Sequence, residues 1–101
     1  MLGGARDMKN KNVLSSEDYL VSCGYGVSFK GFEYLVYILN NYKSIRNNKI
    51  TDIYNEIASK YNTTDKRVER NIRFVINQQG YNSNKKVIAD LIYDYNKKKG
   101  E

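Results

Sequence analysis

Apolar residues recur along this chain with the three-and-four spacing of helices, not the two-residue spacing of strands. Phe29, Phe32, Leu35, Val36, Leu39 and Tyr42 share one side of a helix, and a polar run over residues 43–49 ends the stripe. From Ile50 the period resumes with Ile53, Tyr54, Ile57, Ala58 and Tyr61, while Asp52, Glu56 and Ser59 fall on the opposite side. A third stripe, Val68, Ile72, Val75 and Ile76, runs through residues 64–79. A fourth, Val87, Ile88, Leu91, Ile92 and Tyr95, starts from Ser83. A short helix carrying Tyr19, Leu20 and Cys23 precedes them all. The pattern predicts an all-α fold, a compact bundle of about five helices.

The punctuation between stripes agrees with this division. Ser15 and Ser16 offer hydroxyls to cap the first helix, and Glu17 and Asp18 place acids in its positive first turn. Glycine in the "GYG" of residues 24–26 can take the positive φ that stops it. Ser28 is predicted to cap the second helix. Asn62, Thr63 and Thr64 break the chain between the helices over 50–61 and 64–79, and Gly80 follows the latter as its C′ residue. The tail "NKKKG" sets cations at a C-terminus, where the helix dipole favours them.

Composition narrows the partners. The 101 residues suffice for one hydrophobic core and hold no proline to interrupt a helix. Lys and Arg number 17 against 11 Asp and Glu, a net charge of +6 that favours a polyanionic partner. Cys23 is the only cysteine, which excludes an intramolecular disulfide, and its apolar neighbours predict a buried, inert thiol. No apolar run reaches membrane-spanning length, so a cytoplasmic, nucleoid-associated protein is expected. Residues 1–13 read as a flexible tail, with Met8 an alternative start, and residues 14–98 as the folded domain.

The stretch "NTTDKRVERNIRFVI", residues 62–76, concentrates the chemistry. Two amphipathic helices joined by a few polar residues are the pattern of a helix-turn-helix, whose second helix enters the major groove of DNA. On the helix over 64–79 the apolar stripe leaves Lys66, Arg67, Arg70, Arg73 and Asn77 on the opposite side, with Phe74 among them. Arginine can pair its planar fork with two acceptors of guanine or grip a phosphate, whereas Lys66 suits a phosphate as a point charge. Thr63 and Thr64 lie at the helix N-terminus, where free N–H groups also favour phosphate.

These residues carry a resemblance. "FKGFEYL" at 29–35, "ITDIYNEIASKYNTT" at 50–64 and "RVERNIR" at 67–73 resemble the C-terminal effector domain of the sporulation master response regulator, the stage-zero protein A. The match spans residues 14–79. It implies a sequence-specific DNA-binding transcriptional regulator that reads a short box resembling TGTCGAA, often in head-to-tail pairs that would seat a homodimer on DNA. Carried over by position, Arg67 and Arg70 are expected at or near base edges and Arg73 nearer the backbone. Glu69 would accept from a cytosine amine or orient a neighbouring arginine. Lys66, Asn71 and Phe74 stand where the family has a small polar residue, alanine and histidine. Where the family has a long segment with a helix that touches the polymerase sigma subunit, Gly80 here leads almost directly into "NSNKKVIADLIYDYN", which resembles the family's final helix. No receiver domain is expected, and an occluding repressor is favoured over an activator.

Other chemistry is not predicted. With no histidine and one cysteine there is no nucleophile–base pair, so neither an enzyme, a cofactor nor a small-molecule substrate is expected. The acid pairs Asp52 with Glu56 and Asp90 with Asp94 read as solvated faces, without the glycine turn of a calcium loop, and no metal is expected. Two other functions stay open at this stage. One is an architectural or recombination accessory factor of a mobile element; the other is a protein-interaction module whose cations only solubilise it.

Overall fold

The computed structural model describes residues 14–100. Helix α1 covers Ser16–Ser22, α2 Lys30–Asn41, α3 Ile50–Lys60, α4 Asp65–Gln78 and α5 Asn84–Gly100. The described residues are all-α, in five helices around one core. The predicted tail over 1–13 lies outside them.

The stripes read from the periodicity became buried faces over most of their length, but along α2 Phe29 is exposed and Val36 and Tyr42 are half-buried, while Tyr34 and Ile38 take core positions. Phe32, Leu35, Ile38 and Leu39 of α2 meet Ile53, Ile57 and Ala58 of α3, Val68, Ile72, Val75 and Ile76 of α4, and Ile88 and Ile92 of α5 in a single cluster. Burying each such aliphatic side chain contributes about 1.5–3 kcal/mol, which is what holds helices this short. Helix α4 is central, packed on both α2 and α3 and also touching α5.

Gly31 makes the α2–α4 packing possible. A Cβ at this position would stand 2.3 Å from the carbonyl oxygen of Asn71 and 2.9 Å from a Val75 methyl. The two backbones therefore approach as closely as only glycine allows.

Three helices end in the same way. At α1 the Tyr25 N–H donates to the Leu20 carbonyl at 3.0 Å, with Gly24 at φ +98°. At α4 the Tyr81 N–H donates to Ile76 O at 3.1 Å, with Gly80 at φ +90°. At α3 the Thr63 N–H donates to Ala58 O at 2.9 Å, and the left-handed residue is Asn62, φ +54°. All three are Schellman closures, two with glycine and one with asparagine, the usual second choice.

The cap predicted for α1 is formed, Ser15 Oγ accepting from the Asp18 N–H at 3.0 Å, and α4 is capped by Thr64, whose Oγ1 accepts from the Arg67 N–H at 3.2 Å. Ser28 is not a cap. Helix α2 starts one residue later, behind Phe29, which makes no side-chain cap bond. Its ring is spent instead on an edge-to-face contact with Phe74 of α4, centroids 5.3 Å apart. Cys23 also departs from expectation, half-buried rather than buried.

Tyrosines latch the two ends of the domain together. Tyr19 of α1 donates to Asp94 of α5 at 2.6 Å, and Tyr95 of α5 donates to the Leu14 carbonyl at 3.0 Å. The two rings pack at 5.4 Å. Burial, and then the bond to Asp94, raise the pKa of Tyr19 well above the ordinary phenol value. Elsewhere Tyr37 and Tyr42 both donate to Glu56 of α3. Glu56 is thus not a merely solvated acid: these bonds hold its carboxyl below the usual range.

Candidate nucleic-acid interface

The joint between α3 and α4 occupies Tyr61–Thr64. Its geometry is fixed from both sides, by the Asn62 closure of α3 and by the Thr64 cap of α4. Thr64 is the capping residue rather than the first helical one, and its oxygen is occupied by the Arg67 N–H. Thr63 is half-buried beside it.

Beyond the joint, α4 presents two unlike sides. Val68, Ile72 and Ile76 are fully inaccessible to solvent, and Val75 nearly so. Lys66, Arg67, Arg70, Arg73, Phe74 and Asn77 are exposed. At 3.6 residues per turn, Arg70 stands in the middle of the exposed arc, with Arg67 toward one edge and Lys66 and Arg73 toward the other. Arg73 is engaged by Glu69, one turn earlier on the same helix. Arg67, Arg70 and Lys66 make no ion pair among the described residues. Two guanidinium groups at the N-terminal half of the helix are therefore free for an external acceptor, and the third is already oriented by a carboxylate. Of the predicted site residues, all but Thr63, Thr64 and Glu69 lie on the exposed arc; those three position it or border it.

Two features of the site were not anticipated from sequence. Phe74, half-exposed on the basic arc, is propped by Phe29, a partner whose ring the periodicity had assigned to the core. The other is Asn84, the first residue of α5. Its amide donates to the Glu69 carbonyl of α4 and to the Tyr54 hydroxyl of α3, both at 3.1 Å. Its Oδ1 is buried with no protein partner. One side chain thus joins three helices beside the exposed arc. Nothing in the pattern marks an asparagine for this role, because its partners come from two other helices.

Among the described residues no group of three or more His, Cys, Asp or Glu stands together, and no helix is long and apolar enough to cross a membrane.

The arrangement is a pair of packed helices, the second of which displays two arginines without ion pairs among the described residues on its exposed side. The family model described as sporulation initiation factor Spo0A C terminal matches residues 17–101. The chain belongs to that family. Spo0A C-terminal domains are DNA-binding effector domains of sporulation regulators, not an enzyme family. The matched span contains the joint, the whole of α4 and the Asn84 tie. No curated protein matches the chain, and no solved structure does.

Proposed function

We propose that this member of the family binds duplex DNA sequence-specifically, with α3 and α4 acting as a helix-turn-helix and α4 lying in the major groove. The observation that carries the reading is the exposed, unpaired pair Arg67 and Arg70 on a helix whose other side is wholly buried. Arg67 and Arg70 read base edges, most readily guanine. Lys66 and Arg73, which share the opposite edge of the arc from Arg67, meet the phosphate wall on that side, with Thr63 and Thr64 at the helix N-terminus and Asn77 farther along the exposed arc. Glu69 serves to aim Arg73 rather than to read a base. Tandem boxes would seat two copies. The residues 79–83 between α4 and α5 leave no room for a polymerase-touching helix, so the domain represses by occupying DNA in the cytoplasm.

The test is a comparison of two substitutions on a DNA site selected by the protein from a random pool. Arg67→Ala is expected to cost about 1–3 kcal/mol on the selected site and to relax preference at one base pair. Lys66→Ala is expected to weaken all sequences alike and to reduce the salt slope by about one. Equal loss on selected and random DNA with Arg67→Ala would remove the base-reading role. Stimulated open-complex formation by purified polymerase at a bound site would remove the repressor role.

A further inference from the structure

We infer that a second basic surface, the groove between residues 45–49 and the start of α5, grips the DNA phosphate backbone beside the bases read by α4. The inference rests on the DNA-binding reading above and adds to it a surface on different elements. The groove is open, with a volume of about 700 Å³, and Arg46, Lys49, Lys85 and Lys86 line it together with Ser83. No acidic side chain lines it, and none of the four cations is ion-paired among the described residues.

The groove is built in advance of any ligand. Ile45 is buried and anchors the loop, the Asn48 N–H closes a turn on Ile45 O at 3.2 Å, and Asn96 of α5 donates to the Lys43 carbonyl at 3.3 Å. Four like charges held around one groove repel each other, a cost that a bound polyanion offsets and solvent alone only screens.

Position identifies the polyanion. Lys49 immediately precedes α3, and Lys85 follows Asn84, whose amide is bonded to the Glu69 carbonyl. The groove therefore adjoins the Glu69–Arg73 edge of the α4 arc, where a phosphate wall would lie with α4 in the major groove. On this inference a DNA strand held at Arg73 passes the Asn84 tie and enters the groove at Lys85. Lysines on flexible stems suit phosphates as point charges and carry no base information.

The experiment compares the full chain with two variants carrying equal charge loss. The groove variant is Arg46→Gln, Lys49→Gln, Lys85→Gln and Lys86→Gln together. The control is Lys30→Gln with Lys97→Gln, Lys98→Gln and Lys99→Gln, the last three roughly 16 Å along α5 from the groove. Binding to random-sequence duplex is titrated at several salt concentrations, and affinity for a selected duplex is measured beside it. Thermal melting confirms that all three proteins are folded. The groove variant is expected to lower the slope of log affinity against log salt by about 3–4, while the control stays near wild type. Its preference for selected over random duplex is expected to remain that of wild type. A slope equal to the control's would overturn the inference, and so would lost preference with the slope intact. Tighter binding of polyglutamate than of duplex, abolished in the groove variant, would assign the groove to an acidic protein and overturn it too. Failure of the wild type to bind duplex at any salt would remove the DNA-binding reading as well; an Arg67→Ala effect without a groove effect would remove this inference alone.

Discussion

Gly31→Ala introduces one methyl group at the tightest point of the fold. The new Cβ would lie 2.3 Å from the Asn71 carbonyl oxygen, whereas a relaxed carbon–oxygen contact is about 3.3 Å or more. The obstacle is backbone, so no side chain can rotate away, and α2 and α4 must separate by about 1 Å. A gap of that size forfeits a quarter to a half of the dispersion well for atoms across it. Overpacking costs about 1–3 kcal/mol in general, and a backbone clash places this case in the upper part, about 2–3 kcal/mol. Alanine returns at most about 1 kcal/mol of helix propensity. The expected net loss is about 1–2 kcal/mol, which for a domain of this size lowers Tm by roughly 5–15 °C. Thermal melting followed by circular dichroism measures it, with Gly100→Ala as a control because nothing lies within 4 Å of its Cβ. A Tm for Gly31→Ala equal to or above wild type would refute the close α2–α4 approach.

Asn62→Ala should destabilise by about 1–2 kcal/mol because alanine resists the left-handed φ of +54°, while Asn62→Gly should not; urea titration of both decides, and an unchanged midpoint for alanine refutes the point. Glu56 has a folded pKa below its ordinary 4.5, so its contribution is present above that pH and is lost as pH falls through the folded value. The Tm advantage of wild type over Glu56→Gln should therefore shrink on acidification, modestly because the carboxylate is exposed, and an advantage independent of pH would contradict the tyrosine bonds. At the other extreme, Tyr37 is pushed up to about 12 from 10.0 by its bond to Glu56. Its contribution is full below 10.0 and is lost as pH rises through about 12, so spectrophotometric titration should show this phenol ionising late, and earlier in Glu56→Gln. Glu69→Ala should change stability by no more than about 0.5 kcal/mol, since the pair with Arg73 is largely exposed, yet alter DNA affinity through Arg73; a double-mutant cycle showing no coupling on DNA would sink the aiming role.

Sequence periodicity located every helix among the described residues because each one buries a single stripe, and a stripe is a property of one segment. The same holds for the Thr64 cap and the Gly24 and Gly80 stops, which depend on neighbours in the chain. What stayed hidden depends on partners far along it. Ser28 has the chemistry of a cap, but Phe29 is drawn to Phe74, so the helix begins a residue later. Glu56 lies opposite its own helix's apolar stripe, and the tyrosines that bind it come from α2 and the residue after it. Gly31 looks like an ordinary helical glycine until Asn71 stands against it. In the candidate site the arginines of α4 were legible, since they share one helix with their own apolar backing. The cations of the groove were not, because Arg46 and Lys49 meet Lys85 and Lys86 only once the fold is made.

The latch between Tyr95 and Leu14 also bears on how the chain could be rewired. The first described residue sits against α5, and α5 ends at Gly100, about 8 Å farther along its axis. In a chain trimmed to residues 14–100, roughly five glycine and serine residues would bridge that interval and close the domain into a ring. A ring can be opened elsewhere, and Asn47 and Asn48 form an exposed turn suited to new termini. Such a circular permutant keeps α3, α4 and the Asn84 tie continuous while freeing the strap that carries Arg46 and Lys49. The proposed base reading and the proposed phosphate grip could then be tested separately within one covalent core, by reconnection alone and without changing a single side chain of either surface.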